Sequence, residues 1–170
     1  SSCPVYGVVE AGAMATSNAL EDKNANILVL GTKATIKSKA YELRLHSLGF
    51  KNLQTKATGL FVPIVEEEIY DGPILQSTFT HYFKEISTPD AVILGCTHFP
   101  LISDALQSYF GEATKLIHSG EAIVEYLENE FTFTHKYENP KMKFFASENP
   151  DALKAIAKKW LNQRDRIIIL

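Results

Sequence analysis

Cysteine is scarce: Cys3 and Cys96 are the only two in 170 residues, and they lie far apart. Such a pair excludes a disulfide framework, and nothing near the start resembles a secretion signal, so the sequence reads as that of a cytoplasmic protein. Basic residues are also sparse. Lys and Arg number 17 against 20 Asp and Glu, for a net charge of -3, and no cluster forms a stripe, which argues against nucleic acid as a partner. No apolar run is long enough to cross a bilayer, so no membrane partner is expected. Repeats of solenoid length and low-complexity tracts are absent as well. What is present is ample core material. Hydrophobic residues make up 45% and aromatics 11%, enough for one domain, or one domain plus part of another.

Short aliphatic runs at Val5–Val9, Ile27–Leu30, Ala91–Leu94 and Lys115–Ile117, with a weaker one at Leu53–Ala57, have the look of buried parallel strands. Helical patterns lie between them. Thr35–Leu48 carries Ile36, Ala40, Leu43 and Leu48 at helical spacing and stops at Gly49. Phe61–Tyr70 and Ile74–Ile86 flank the turn signal Asp71-Gly72-Pro73, and Pro100–Phe110 ends at Gly111. A helix is expected around Glu121–Glu130, a loop over Phe131–Pro140, a strand at Lys143–Ala146 and a helix over Asp151–Leu161. The four aliphatics that end Arg164–Leu170 fit no element. Alternating strand and helix predicts an α/β fold, a parallel sheet flanked by helices.

The segment richest in chemistry is Gly95-Cys96-Thr97-His98-Phe99-Pro100. It follows the expected strand Ala91–Leu94, and Pro100 stands where a helix would begin. In an α/β sheet, ligands bind beyond the carboxyl ends of the strands. A thiolate placed there is stabilised by a helix N-terminus and by a protonated imidazole, and can serve as nucleophile or base. A small, inert cysteine at a strand end is the plainer alternative. Leu28-Val29-Leu30-Gly31-Thr32 echoes Val92-Ile93-Leu94-Gly95-Cys96: an aliphatic strand, a glycine, then a small hydrogen-bonding side chain. Glycine permits a tight turn and a close ligand, and a helix N-terminus offers free N–H groups to an anion. Facing turns of this kind could hold a carboxylate; equally, Thr32 or Thr35 could simply cap a helix.

Four segments in order, Ile27–Ser38, Gly59–Glu68, Ala91–Leu101 and Leu116–Tyr126, resemble glutamate racemase of the aspartate/glutamate racemase superfamily. The combination of Gly-Thr-Lys-Ala-Thr, Pro-x-x-Glu and Gly-Cys-Thr-His-Phe-Pro carries the likeness, which runs from about Pro4 to Trp160. The resemblance implies two pseudo-symmetric α/β domains with the site between them, and a cysteine from each domain on opposite faces of the substrate Cα. It implies Cys96 as the catalytic thiol of one face, His98 and Glu66 as its catalytic partners, and Thr32, Thr35 and Thr97 as substrate-binding residues. No cofactor and no metal are implied. The expected partner is glutamate as small-molecule substrate, the product D-glutamate for peptidoglycan, and the expected assembly a homo-oligomer, a dimer.

One departure is large. The first-domain Cys-Asn-Thr-Ala motif is missing, and Cys3 is followed by Pro-Val-Tyr-Gly. The chain therefore reads as a fragment: residues 1–8 as a linker or the end of the missing first domain, 9–118 as the complete domain carrying the second cysteine, and 119–170 as a segment packing with the first domain. Alone, it is expected not to racemise glutamate. Other classes stay open: a racemase acting on aspartate, or a non-catalytic α/β binding module. A thiol hydrolase is disfavoured because His98, two residues from Cys96, is expected to sit poorly for a triad. A zinc site lacks a second ligand pair. Glu66 could belong to a solvated acidic run, Glu66–Glu68, and His118 is read as structural.

Overall fold

The computed structural model describes residues 4–132, 142–145 and 167–169. They fall into two compact units that divide after Phe131. In the first unit, β1 (Asn26–Gly31), β2 (Asn52–Ala57), β3 (Ala91–Gly95) and β4 (Lys115–His118) form a parallel sheet in the order β2-β1-β3-β4. Helices α1 (Val8–Ala19), α2 (Lys33–Ser38), α3 (Ala40–Ser47), α4 (Phe61–Glu66), α5 (Pro73–Phe83), α6 (Ser103–Phe110) and α7 (Ser119–Glu130) surround it, with a 3-10 turn at Phe99–Ile102. The expected α/β class and parallel sheet are observed.

The two-residue period of a strand sorts the sheet into two cores. Leu28, Leu30, Val92 and Leu94 face α4, α5 and α6, where Phe61, Phe79, Phe83 and Phe99 are buried. Ile27, Val29, Ala91 and Ile93 face α1 and α3, against Ala13, Tyr41 and Leu45. Burial on both faces is why these central strands are nearly continuous aliphatics. β2, at the sheet edge, is more polar and alternates in exposure, so its signal is weaker.

Three expected elements differ from the structure. The run Val5–Val9 is no strand: Val8 and Val9 open α1, and Val5 is 86% exposed. A short apolar run cannot by itself distinguish strand from helix, and here the good helix formers Glu10, Ala11, Ala13 and Met14 follow it. The helix expected over Thr35–Leu48 is broken at Lys39, whose left-handed backbone (φ 56°, ψ 14°) ends α2 and begins α3. Ser38 bridges the break, donating to Thr35 O at 2.7 Å and accepting from Ala40 N at 3.3 Å. The helix expected at Phe61–Tyr70 ends at Glu66.

α1 is tied to α3 by Arg44, which donates to both carboxylate oxygens of Glu10 at 2.6 and 2.7 Å; this pairing raises the Arg44 pKa. In the second unit, Met142–Phe144 (β5) pairs in parallel with Ile167–Ile169 (β6), which gives three of the four terminal aliphatics a strand. The expected helix Asp151–Leu161 lies outside the described residues. Among the described residues, no helix is long and apolar enough to cross a membrane.

Candidate active site

β1 and β3 are neighbours, and their register pairs Gly31 with Gly95. The two similar turns therefore end level with each other at the carboxyl edge of the sheet, with Thr32 after one and Cys96 after the other. Neither glycine is replaceable without a shift. A Cβ on Gly95 would lie 2.7 Å from the Leu30 carbonyl oxygen, and one on Gly31 would lie 3.0 Å from the Thr35 side chain.

On the first turn, Thr32 caps α2: its Oγ1 accepts from Thr35 N at 3.2 Å. The two threonine hydroxyls share a hydrogen bond of 3.0 Å. The capping role is thus observed, and the pair remains partly exposed at the sheet edge.

On the second turn, Cys96 is a free, half-buried thiol. Its Sγ lies 3.9 Å from His98 Nδ1. On the other side of the ring, His98 Nε2 lies 3.4 Å from Glu66 Oε1 at the end of α4. Cys96, His98 and Glu66 therefore form a line from sulfur through imidazole to carboxylate. His98, two residues from Cys96, faces the sulfur, though at a distance too long for the tight nucleophile–base contact of a hydrolase triad. The turn, closed by Phe99 N donating to Cys96 O at 3.1 Å, swings the ring back towards the sulfur. Phe61 of α4 packs edge-on against Phe99 at 5.4 Å between centroids, which seats α4, and Glu66 with it, beside the turn. Both contacts of the imidazole are long for hydrogen bonds. With Nε2–H turned to Glu66, Nδ1 presents a lone pair to the thiol; a proton passing from sulfur to Nδ1 leaves a thiolate beside an imidazolium that the carboxylate stabilises.

A cavity of about 230 Å³ opens beside the sulfur, lined by Val8, Tyr41, Leu94, Gly95, Cys96, Thr97, Pro100, Ser119 and Gly120. Of the expected site residues it collects Cys96 and Thr97. Glu66 and His98 meet Cys96 through the imidazole, and Thr32 and Thr35 stand on the adjoining turn. A larger hollow of about 480 Å³ lies at the amino ends of the strands, near Asn26, Asn52 and Pro89. That is the wrong end of a parallel sheet for a ligand site. Among the described residues, no group of three or more His, Cys, Asp or Glu side chains is arranged to hold a metal.

Sequence reasoning missed Tyr41 and Ser119. Tyr41 OH and Ser119 Oγ lie 2.7 Å apart and are buried. Burial pushes the Tyr41 phenol above its usual pKa, against the smaller lowering from the bond to Ser119. Tyr41 had no local signal beyond a large residue on an amphipathic helix.

Over 159 residues the chain is 56% identical to the glutamate racemase of Campylobacter jejuni subsp. jejuni, covering 94% of this chain but 64% of that protein, so it spans just under two thirds of the relative's length. The crystal structure of glutamate racemase from Campylobacter jejuni superposes with a TM-score of 0.93 at 54% identity, over 98% of this chain and 66% of that one. The Francisella tularensis glutamate racemase structure, in complex with D-glutamate, superposes with a TM-score of 0.75 at 27% identity, over 96% and 62%. The profile of Asp/Glu/Hydantoin racemase matches residues 1–127, which contain the whole sheet and both turns; the chain belongs to this racemase family.

Proposed function

We propose that this chain forms one half of a glutamate racemase site, with Cys96 exchanging the Cα proton on one face of glutamate. The observation that carries the reading is the line Cys96–His98–Glu66 at the carboxyl edge of the sheet, beside the hydroxyls of Thr32 and Thr35. A thiolate at Cys96 takes the Cα proton; the C–H electron pair stays on carbon as a carbanionic species, and a donor on the opposite face returns a proton with inversion. His98 assists proton exchange at the sulfur, and Glu66 orients the imidazole from its far side. Thr32, Thr35 and Thr97 hold the substrate's charged groups, and water exclusion protects the carbanion.

The opposite face needs a second acid. Cys3, the other cysteine of the sequence, lacks the expected surrounding motif. We assign that role to the third of the relatives' length that this chain does not span. The same reading extends to D-glutamate supply for peptidoglycan, in the cytoplasm, by a homodimer.

Protection of Cys96 tests this reading. Glutamate at about 50 mM, well above a millimolar Kd, is expected to slow alkylation of Cys96 by iodoacetamide, while equal lysine leaves it unchanged. No protection would count against the assignment. In the same samples circular dichroism is expected to show no racemisation; turnover by the pure chain would mean that its site is complete.

A further inference from the structure

Behind Cys96 stands a second pair of side chains that the proton-transfer scheme does not use. Tyr41, from α3, is 4% exposed, and its hydroxyl lies 2.7 Å from Oγ of Ser119, the first residue of α7. Ser119 donates at 3.2 Å to the carbonyl of Leu94, two residues before Cys96. A hydroxyl has one proton to give. With that of Ser119 given to Leu94, Tyr41 must be the donor to Ser119, so the bonds run in one direction, from Tyr41 through Ser119 to the end of β3.

Two glycines make room for this pair. A Cβ on Gly12 of α1 would lie 3.1 Å from Ser119 Oγ and 3.2 Å from the Tyr41 ring; one on Gly95 would lie 3.2 Å from the same ring. Sheet pairing on the β4 side ends at this point. β3 is in register with β4 only as far as Leu94, opposite His118, and Gly95 has no side chain to anchor the strand end. On the β4 side the carbonyl of Leu94 is thus the last anchored point before the thiol, while on the β1 side Gly95 is still paired with Gly31.

Resting on the reading of Cys96 as a proton-transfer thiol, we propose that Tyr41 and Ser119 are positioning residues, a hydroxyl relay that clamps the end of β3. The clamp holds the Cys96 sulfur at a fixed place on the cavity wall and within reach of His98. Proton transfer at carbon depends steeply on placement, and a displacement of about 1 Å can cost on the order of a hundredfold in rate. Three elements that are distant in sequence, α3, β3 and α7, meet at this one carbonyl.

The two cysteines of the chain supply an internal ratio. Alkylation by iodoacetamide at fixed pH, followed by peptide mass mapping, gives separate rates for Cys96 and Cys3. A clamped, half-buried sulfur reacts when its turn opens. Tyr41→Phe and Ser119→Ala are each expected to raise the Cys96-to-Cys3 ratio by about threefold to tenfold, the effect of one lost hydrogen bond. Because the hydroxyls act in series, the double variant is expected to match Ser119→Ala alone. Ser119→Thr, which keeps the hydroxyl, is expected to restore the ratio; a merely structural role would give no such rescue. Tyr41→Phe keeps the buried ring and serves even where Ser119→Ala fails to fold. An unmoved ratio in Tyr41→Phe, additive effects in the double variant, or failure of Ser119→Thr to rescue would overturn the clamp. Ratios that move as expected while glutamate gives Cys96 no protection would sustain the clamp and remove the racemase reading.

Discussion

The side chain that Gly95 lacks matters to Cys96 because the neighbouring strand occupies the space. A methyl there would meet the Leu30 carbonyl at 2.7 Å, and a backbone oxygen within a paired strand cannot step aside. Gly95→Ala is therefore expected to destabilise the chain by about 1–3 kcal/mol, the usual range for forced overpacking, and to raise the alkylation rate of Cys96 relative to Cys3. Gly120, which also borders the cavity, has nothing within 4 Å of an added Cβ. Urea denaturation of Gly95→Ala and Gly120→Ala side by side checks the claim; equal stabilities would refute it. The proximity of Cys96 and His98 could be anticipated at this scale because a thiol and an imidazole share one turn. The contact of Glu66 with His98 could not be read locally, since the two residues sit on separate elements and only packing joins them.

Among the elements, the aromatic contacts of α4 decide where its carboxylate ends up. Phe61 is fully buried and meets Phe79, Tyr82 and Phe99 edge-on at 5.3 to 5.5 Å. It therefore supports both the core beneath α5 and the docking of α4 on the Cys96 turn. Phe61→Ala is expected to cost about 3–5 kcal/mol and to part Glu66 from His98. Thermal unfolding checks the first effect. The second is checked by the His98 ring resonances, which should respond to Glu66→Gln in the wild-type background and not in Phe61→Ala. β1 and β3 were readable as aliphatic runs because burial on both faces leaves no alternation to confuse. α1 was misread because Val5–Val9 suits either period, and the break at Lys39 was missed because nothing in Lys-Ser-Lys-Ala announces a left-handed residue. The Tyr41–Ser119 relay was invisible for a different reason: residues 78 apart in sequence form it, and neither belongs to a motif.

At the scale of the whole molecule, the sheet brings two similar turns level and leaves them facing one open edge. On the proposed reading such a site serves one face of the substrate, and inversion at Cα needs groups on both. The chain spans 64% of the Campylobacter jejuni relative, so the direct experiment is to supply the remainder. The chain would be joined to the part of that relative it does not match, and deuterium entry at Cα followed from L- and D-glutamate in heavy water, with and without Cys96→Ser. The account predicts exchange with inversion in the joined protein and a loss of about a hundredfold to ten-thousandfold on Cys96→Ser, the usual contribution of a positioned acid or base. Inversion that persists at an undiminished rate after Cys96→Ser would contradict it.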